Sequence, residues 1–244
     1  MRLEKYLSDC GVGTRSQCKT YIRKGMIKVD GKTVCNGSLQ VSDKNLVTCC
    51  EKPLYLPGNL YFMFHKPAGC ICAAKDPVHK TVLSYFPPKL SEKLLIAGRL
   101  DKDTEGFLIL TDDGAFVHQL MSPKKHVEKT YFFKAHGRLF EDAVQIVASG
   151  MDIGDEKPTK PARLEITEYR ELTNETEGFL TISEGRYHQV KRMIKVLGGE
   201  VFYLKRMIIG NVSLDESLPA GAYRALTKAE LEALITETRE SRKK

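Results

Sequence analysis

The nine residues EKPLYLPGN (51–59) hold two prolines and one glycine and have no hydrophobic period. Neither a helix nor a central strand runs easily through such a stretch, so it reads as a linker. It splits the 244-residue chain into a short part, 1–50, and a long part, 60–235, ahead of a charged tail expected to fray, 236–244. In the short part Leu3, Tyr6, Leu7 and Cys10 recur at helical spacing before Gly11 and Gly13. Thr14 and Gln17 have the spacing of a capping box, which predicts a second helix carrying Cys18, Tyr21 and Ile22 and ending at Gly25. Asp30-Gly31 predicts a hairpin between strands at 26–29 and 32–35, with a third strand at 46–49.

The long part is dominated by strand-like runs at 60–65, 70–73, 94–97, 107–111, 129–135, 161–166, 177–183 and 201–206. Helical patterns fall at 115–121, 141–149, 188–197 and 228–238, the last led by a second capping box, Thr227 and Glu230. Strands and helices do not alternate strictly. The expectation is an α+β domain on a mixed, mainly antiparallel sheet beside a small helix–hairpin domain.

A hydrophobic fraction of 42% is enough for a packed core, and no apolar run approaches membrane-spanning length. The start, MRLEKYLSDC, has no leader-type apolar segment, so a soluble, cytoplasmic protein is expected. Seven cysteines, none at CxxC spacing, argue against a disulfide framework and a structural zinc site, and most read as small buried hydrophobes. His65, His79, His118, His126 and His136 are scattered without metal-ligand spacing. The net charge is +7, and residues 1–34 hold eight basic side chains against three acidic ones. Such a concentration fits a polyanionic partner or a solvated surface, and charge alone does not choose.

One segment carries chemistry. In AGRLDKDTEGFLILTDDG (97–114) a loop between two strand-like runs presents Arg99, Asp101, Asp103 and Glu105. Rigidly held loops often bear catalytic groups. An arginine two residues from an aspartate can keep that carboxylate ionised, as a nucleophile or base requires. A divalent-cation loop is the competitor, but the full ligand pattern is missing. Asp112 and Asp113 read as a polar turn, and Lys66-Pro67-Ala68-Gly69 as a turn with a phosphate contact from Lys66.

Residues 3–34, LEKYLSDCGVGTRSQCKTYIRKGMIKVDGKTV, resemble the S4 RNA-binding domain, and GRLDKDTEG resembles the signature of the pseudouridine synthases acting on ribosomal RNA. The second likeness continues through residues 65–87, 118–131, 160–166, 180–193 and 218–234. The wording RYHQVKRM is similar to the branch acting on 16S rRNA. The resemblance implies a pseudouridine synthase fold and isomerisation of one uridine, through cleavage of the N-glycosidic bond and re-attachment at carbon 5. Asp101 would be the catalytic carboxylate, as nucleophile or as base, with Arg99 beside it. Tyr131 would stack on the flipped-out base. Lys191, or Arg192 one residue on, would pair with Asp101, and Leu204 would pack near the base. Arg186 and His188 would touch the substrate. Arg2, Lys5, Arg15, Lys19, Arg23, Lys24 and Lys28 would bind RNA through its phosphates. The partner implied is ribosomal RNA, free or within an assembling small-subunit particle, and the expected species is a monomer. No motif implies a metal or a cofactor. The alternatives are a related synthase acting on 23S rRNA or tRNA, a carboxylate-dependent hydrolase, and a non-catalytic S4-type RNA-binding protein.

Overall fold

The protein is described here as a computed structural model covering residues 1–42, 45–54, 58–122 and 125–240. The chain gathers into two compact units, residues 1–59 and 60–244.

The first unit opens with α1 (Leu3–Asp9) and α2 (Arg15–Arg23). The capping box forms: Thr14 Oγ1 accepts from the Gln17 amide at 3.4 Å, and Gln17 Oε1 accepts from the Thr14 amide at 2.8 Å. Four short strands follow, β1 (Ile27–Val29), β2 (Lys32–Thr33), β3 (Val47–Cys49) and β4 (Lys52–Leu54), in the antiparallel order β2-β1-β3-β4. Asp30 (φ 50°) and Gly31 (φ 78°) make the two-residue turn whose twist suits a hairpin. Leu3, Leu7, Cys18, Ile27 and Val47 are wholly buried between helices and sheet. Strand β4 lies inside the segment expected to be a linker. It is an edge strand, where Pro53, paired with Thr48, needs no outward donor. Residues 55–57 of that segment lie outside the described residues.

The second unit is built on one sheet. Its strands are β5 (Tyr61–Lys66), β6 (Leu95–Ala97), β7 (Glu105–Thr111), β8 (Lys129–His136), β9 (Arg163–Arg170), β10 (Glu175–Ile182), β11 (Glu200–Ile209), β12 (Val212–Ser213) and β13 (Tyr223–Ala225). The order is β13-β5-β7-β11-β8-β10-β9, with β6 added to β7 and β12 to β11. Among the described residues every strand pairing is antiparallel except β7 with β11, so the fold is α+β on a mixed, mainly antiparallel sheet. The expected strand at 70–73 does not form; Ile71 makes only a single bridge to Thr81.

Strand β7 is buried on both faces, which explains its unbroken apolar run. Phe107 and Ile109 pack with α4 (Gly114–Met121) and α7 (Lys228–Glu240), while Leu108 and Leu110 pack with Phe64 and Val82. At the other end Phe133, Ala135 and Leu180 pack against α5 (Ala143–Ser149) and α6 (Gln189–Val196), and a short α3 (Pro88–Ser91) lies before β6. Helix α7 continues to Glu240, five residues into the expected tail, and residues 241–244 lie outside the described residues. Asp113 caps α4 by accepting from the Phe116 amide at 3.0 Å, and Asp112 accepts from the Leu60 amide at 2.7 Å, so both acids are structural. Only Cys18 and Cys70 of the seven free cysteines are buried; Cys35 and Cys50 are exposed, contrary to expectation, because Cys35 lies in irregular backbone after β2 and Cys50 in a turn of a very small unit.

Candidate active site

A cleft of about 820 Å³ lies in the second unit, walled by the loop before β7, the start of β8, the segment 182–191 and β11. Asp101 sits on that loop with its side chain 31% exposed. Several bonds hold the loop. The Leu100 amide donates to Cys72 Sγ at 3.3 Å, the Thr104 amide to the Asp101 carbonyl at 3.2 Å, and the Gly69 amide to the Lys102 carbonyl at 2.7 Å. Beneath it the wholly buried Lys66 donates to the carbonyls of Thr104 (2.8 Å), Pro67 (3.1 Å) and Lys102 (3.3 Å). Burial pushes the Lys66 pKa down. An ammonium has three donors, and all three are used on backbone, so Lys66 makes no phosphate contact. It clamps the loop that carries Asp101.

Gly106 follows this loop where β7 and β11 run side by side in parallel, opposite Arg206. A Cβ at Gly106 would lie 2.3 Å from the Arg206 carbonyl oxygen, and its φ is 108°, so only glycine fits.

Lys191 Nζ lies 3.9 Å from Asp101 Oδ2 but 2.6 Å from both oxygens of Asp103. Its tight partner is therefore Asp103, two residues from the one expected. Burial alone would raise the Asp103 pKa, but the Lys191 ammonium outweighs it and holds that carboxyl below the usual range. His188 Nε2 lies 3.6 Å from Asp101 Oδ1. His188 has φ 49° at the N-cap of α6, and its ring stacks at 3.9 Å on Tyr187, which is 78% exposed at the cleft rim.

Arg192 does not share the role of Lys191. It points away, to Asp155 at 2.7 Å and to the carbonyls of Tyr187 and Ile153. Arg186, expected to touch substrate, is likewise committed to Asp155, Glu184 and the carbonyls of Lys157 and Pro158. The two arginines hold the Asp155 carboxyl below the usual carboxylate range and tie the 153–158 segment to the cleft wall. Arg99 is exposed and makes no ion pair with Asp101 among the described residues, because Leu100 between them is drawn into the core. Asp101, Asp103 and Glu105 do not converge as metal ligands: Asp103 is taken by Lys191, and Glu105 accepts the Tyr203 hydroxyl at 3.0 Å. Among the described residues no group of three His, Cys, Asp or Glu is placed to hold a metal ion.

Tyr131 and Leu204 line the cleft and are nearly buried, at 8% and 5% exposure. They give the cleft that Asp101 also lines a flat ring and an aliphatic side chain. Sequence reasoning missed two further cations in the same wall, Arg206 and Lys129. Arg206 is 2% exposed and lies opposite Tyr131 in the sheet. Lys129, two residues before Tyr131, donates to the Val127 carbonyl at 2.7 Å. Burial, aided by Arg206 and Lys160, pushes its pKa down to about 8. The signal for Arg206 was period two along the strand, since it stands at i+2 from Leu204.

Residues 60–195 match the RNA pseudouridylate synthase family, and residues 1–47 match the S4 domain. The chain belongs to the RNA pseudouridylate synthase family. The synthase is 43% identical over 96% of its length to the whole of the ribosomal small subunit pseudouridine synthase A of Haemophilus influenzae, and 39% identical over 96% to the whole of that of Escherichia coli K12. A solved pseudouridylate synthase superposes with a TM-score of 0.68 at 42% identity, covering 96% of this chain and 99% of the other.

In the S4 part of the synthase, Arg2, Arg15, Lys19, Arg23 and Lys24 are exposed. Lys19 Nζ lies 3.9 Å from Glu4. Lys5 pairs with Asp9 at 2.7 Å and Lys28 with Glu51 at 2.6 Å, which leaves these two less free for phosphates than expected. No helix among the described residues is long and apolar enough to cross a membrane.

Proposed function

We propose that this synthase isomerises one uridine of 16S rRNA to pseudouridine, with Asp101 as the catalytic carboxylate and the flipped-out base stacked on Tyr131. The observation that supports the reading is the cleft itself: a carboxylate, a nearly buried aromatic ring and an aliphatic side chain line one space large enough for one nucleotide. The small-subunit specificity of the relatives supports the choice of target.

Extruding a uridine from folded RNA costs a few kcal/mol. Stacking on an aromatic ring returns about 1–3 kcal/mol per base. The C1′–N1 bond breaks and its electron pair stays on the ring. The ring turns, C1′ bonds to C5, the C5 proton leaves, and N1 takes up a proton. Atoms and charge balance, because product and substrate are isomers. Lys191 and His188 flank the carboxylate, Leu204 confines the base, and Arg99 stands exposed at the mouth for the RNA strand. The synthase works as a cytoplasmic monomer on rRNA, free or in an assembling small-subunit particle. Exposed cations of the S4 part supply affinity without base choice.

The test is carbodiimide-dependent mapping of reverse-transcription stops in rRNA treated with the synthase. One new stop in 16S rRNA supports the reading. Stops only in 23S rRNA or tRNA reassign the target and leave the chemistry, and no stop in any RNA sinks both.

A further inference from the structure

Arg206 reaches the cleft wall although it is 2% exposed. Its Nε donates to the Phe107 carbonyl at 2.7 Å, and Nη1 lies 3.4 Å from the Tyr131 hydroxyl. Among the described residues its buried Nη2 has no hydrogen-bond partner. No carboxylate among the described residues forms an ion pair with it, whereas Arg186 and Arg192 each hold Asp155 and Arg224 holds Asp215 and Glu230. Leaving a charged donor buried and unpaired is costly, so a fold that keeps one fixed points to an acceptor supplied from outside. The donor is also fixed in place. The backbone of Arg206 is pinned by the close crossing at Gly106, and its Nε arm is anchored on β7.

Geometry narrows what that acceptor is. The guanidinium carbon lies 5.9 Å from the Tyr131 ring centroid, near the hydroxyl end of the ring. Tyr131 and Arg206 line the same cleft, so a base stacked on Tyr131 would lie within reach of the guanidinium. On uracil the ring edge bears carbonyl oxygens. When C1′–N1 breaks, the retained electron pair spreads over N1, O2 and O4, so negative charge grows on those oxygens. A preorganised donor aimed at growing charge lowers the barrier of that step. Lys129, on the same face two residues before Tyr131, adds a second cation with one backbone acceptor and no carboxylate partner among the described residues.

We propose that Arg206 is a further catalytic residue, whose Nη2 donates to a uracil carbonyl oxygen and stabilises the base as the glycosidic bond breaks. The inference rests on the placement of Asp101 and Tyr131 under Proposed function.

The experiment uses the full chain and a 16S rRNA carrying 2-thiouridine, 4-thiouridine or uridine at the mapped site. Single-turnover rates and dissociation constants are measured for wild type, Arg206→Gln and Asp101→Asn. Arg206→Gln slows the single-turnover rate by about a hundredfold while affinity stays within about twofold. One of the two thio substitutions slows the wild type but adds nothing to Arg206→Gln, which names the carbonyl. Additive effects of both thio substitutions, or an unchanged rate, overturn the inference. So does a weakened affinity with a salt slope lower by about one, which assigns Arg206 to a phosphate. If Arg206→Gln fails to fold in a melting experiment, the same cycle is read with Arg206→Lys, which keeps the charge but lacks the second donor arm. Turnover by Asp101→Asn overturns the underlying site reading; an inactive Asp101→Asn beside an unaffected Arg206→Gln overturns this inference alone.

Discussion

The two units of the chain use positive charge in opposite ways. In the small unit Arg15, Arg23 and Lys24 stand in solvent with no carboxylate paired to them among the described residues. In the large unit four cations at and behind the cleft wall are bound, Lys191 to Asp103, Arg186 and Arg192 to Asp155, and Lys66 to three carbonyls, while Arg99, Lys129 and Arg206 have no carboxylate partner among the described residues. Exposed cations attract a polyanion over several ångströms and release counterions on contact, which needs no fixed geometry. Bound cations position backbone and carboxylates, which needs geometry and tolerates little change. The difference teaches that charge count predicts affinity for RNA and says little about where the chemistry happens.

This contrast breaks first at Asp101. Asp101→Asn is expected to lower single-turnover isomerisation by about 10⁴-fold, with RNA binding nearly intact. Retained turnover would remove Asp101 from the chemistry. Lys66→Met comes next: it leaves three loop carbonyls without their donor, and a loss of about 3 kcal/mol in denaturant unfolding is expected. A melt like that of the wild type would show that the loop does not depend on the clamp. Lys129→Met goes the other way. A lysine whose folded pKa is about 8 and whose ordinary value is 10.5 destabilises the fold while protonated. The variant should gain about 2 kcal/mol in RNA-free unfolding below pH 8, and the gain should fade between pH 8 and 10.5 as the wild-type lysine folds neutral. A gain independent of pH would mean the effect is packing alone. Smallest is the triple change Arg15→Gln, Arg23→Gln and Lys24→Gln: affinity for rRNA falls about tenfold and the salt slope by about two, with the saturated single-turnover rate unchanged. An unchanged slope would take those residues off the RNA.

What the sequence revealed followed the range of the forces involved. Both capping boxes and the Asp30-Gly31 turn are local hydrogen-bond patterns, and they formed as read. The apolar run 107–111 marked a strand, and the structure adds that this strand is buried on both faces. The convergence of Asp101, Tyr131, Lys191 and Leu204 spans about a hundred residues, and no spacing rule reaches that far; only resemblance to a known family brought them together. Lys66 and Arg206 looked like surface charges because their neighbours are basic or turn-forming. Each stands two residues beyond a buried apolar side chain of its own strand, Phe64 and Leu204, and that parity carries it inward. The partners of Arg99, Arg186 and Arg192 were illegible for the converse reason: nothing local says which acid an exposed-looking arginine will find. Strand β4 was hidden by its proline, which an edge position tolerates.

Strand β11 is made late in the chain yet lies between β7 and β8. It is the seam that joins β13, β5 and β7 on one side to β8, β10 and β9 on the other. A chain cut before residue 200 therefore holds two half-sheets with bare inner edges and no cleft between them. Such edges invite pairing with other chains, so an interrupted copy of this protein is a prospective aggregate long before it is a weakened catalyst.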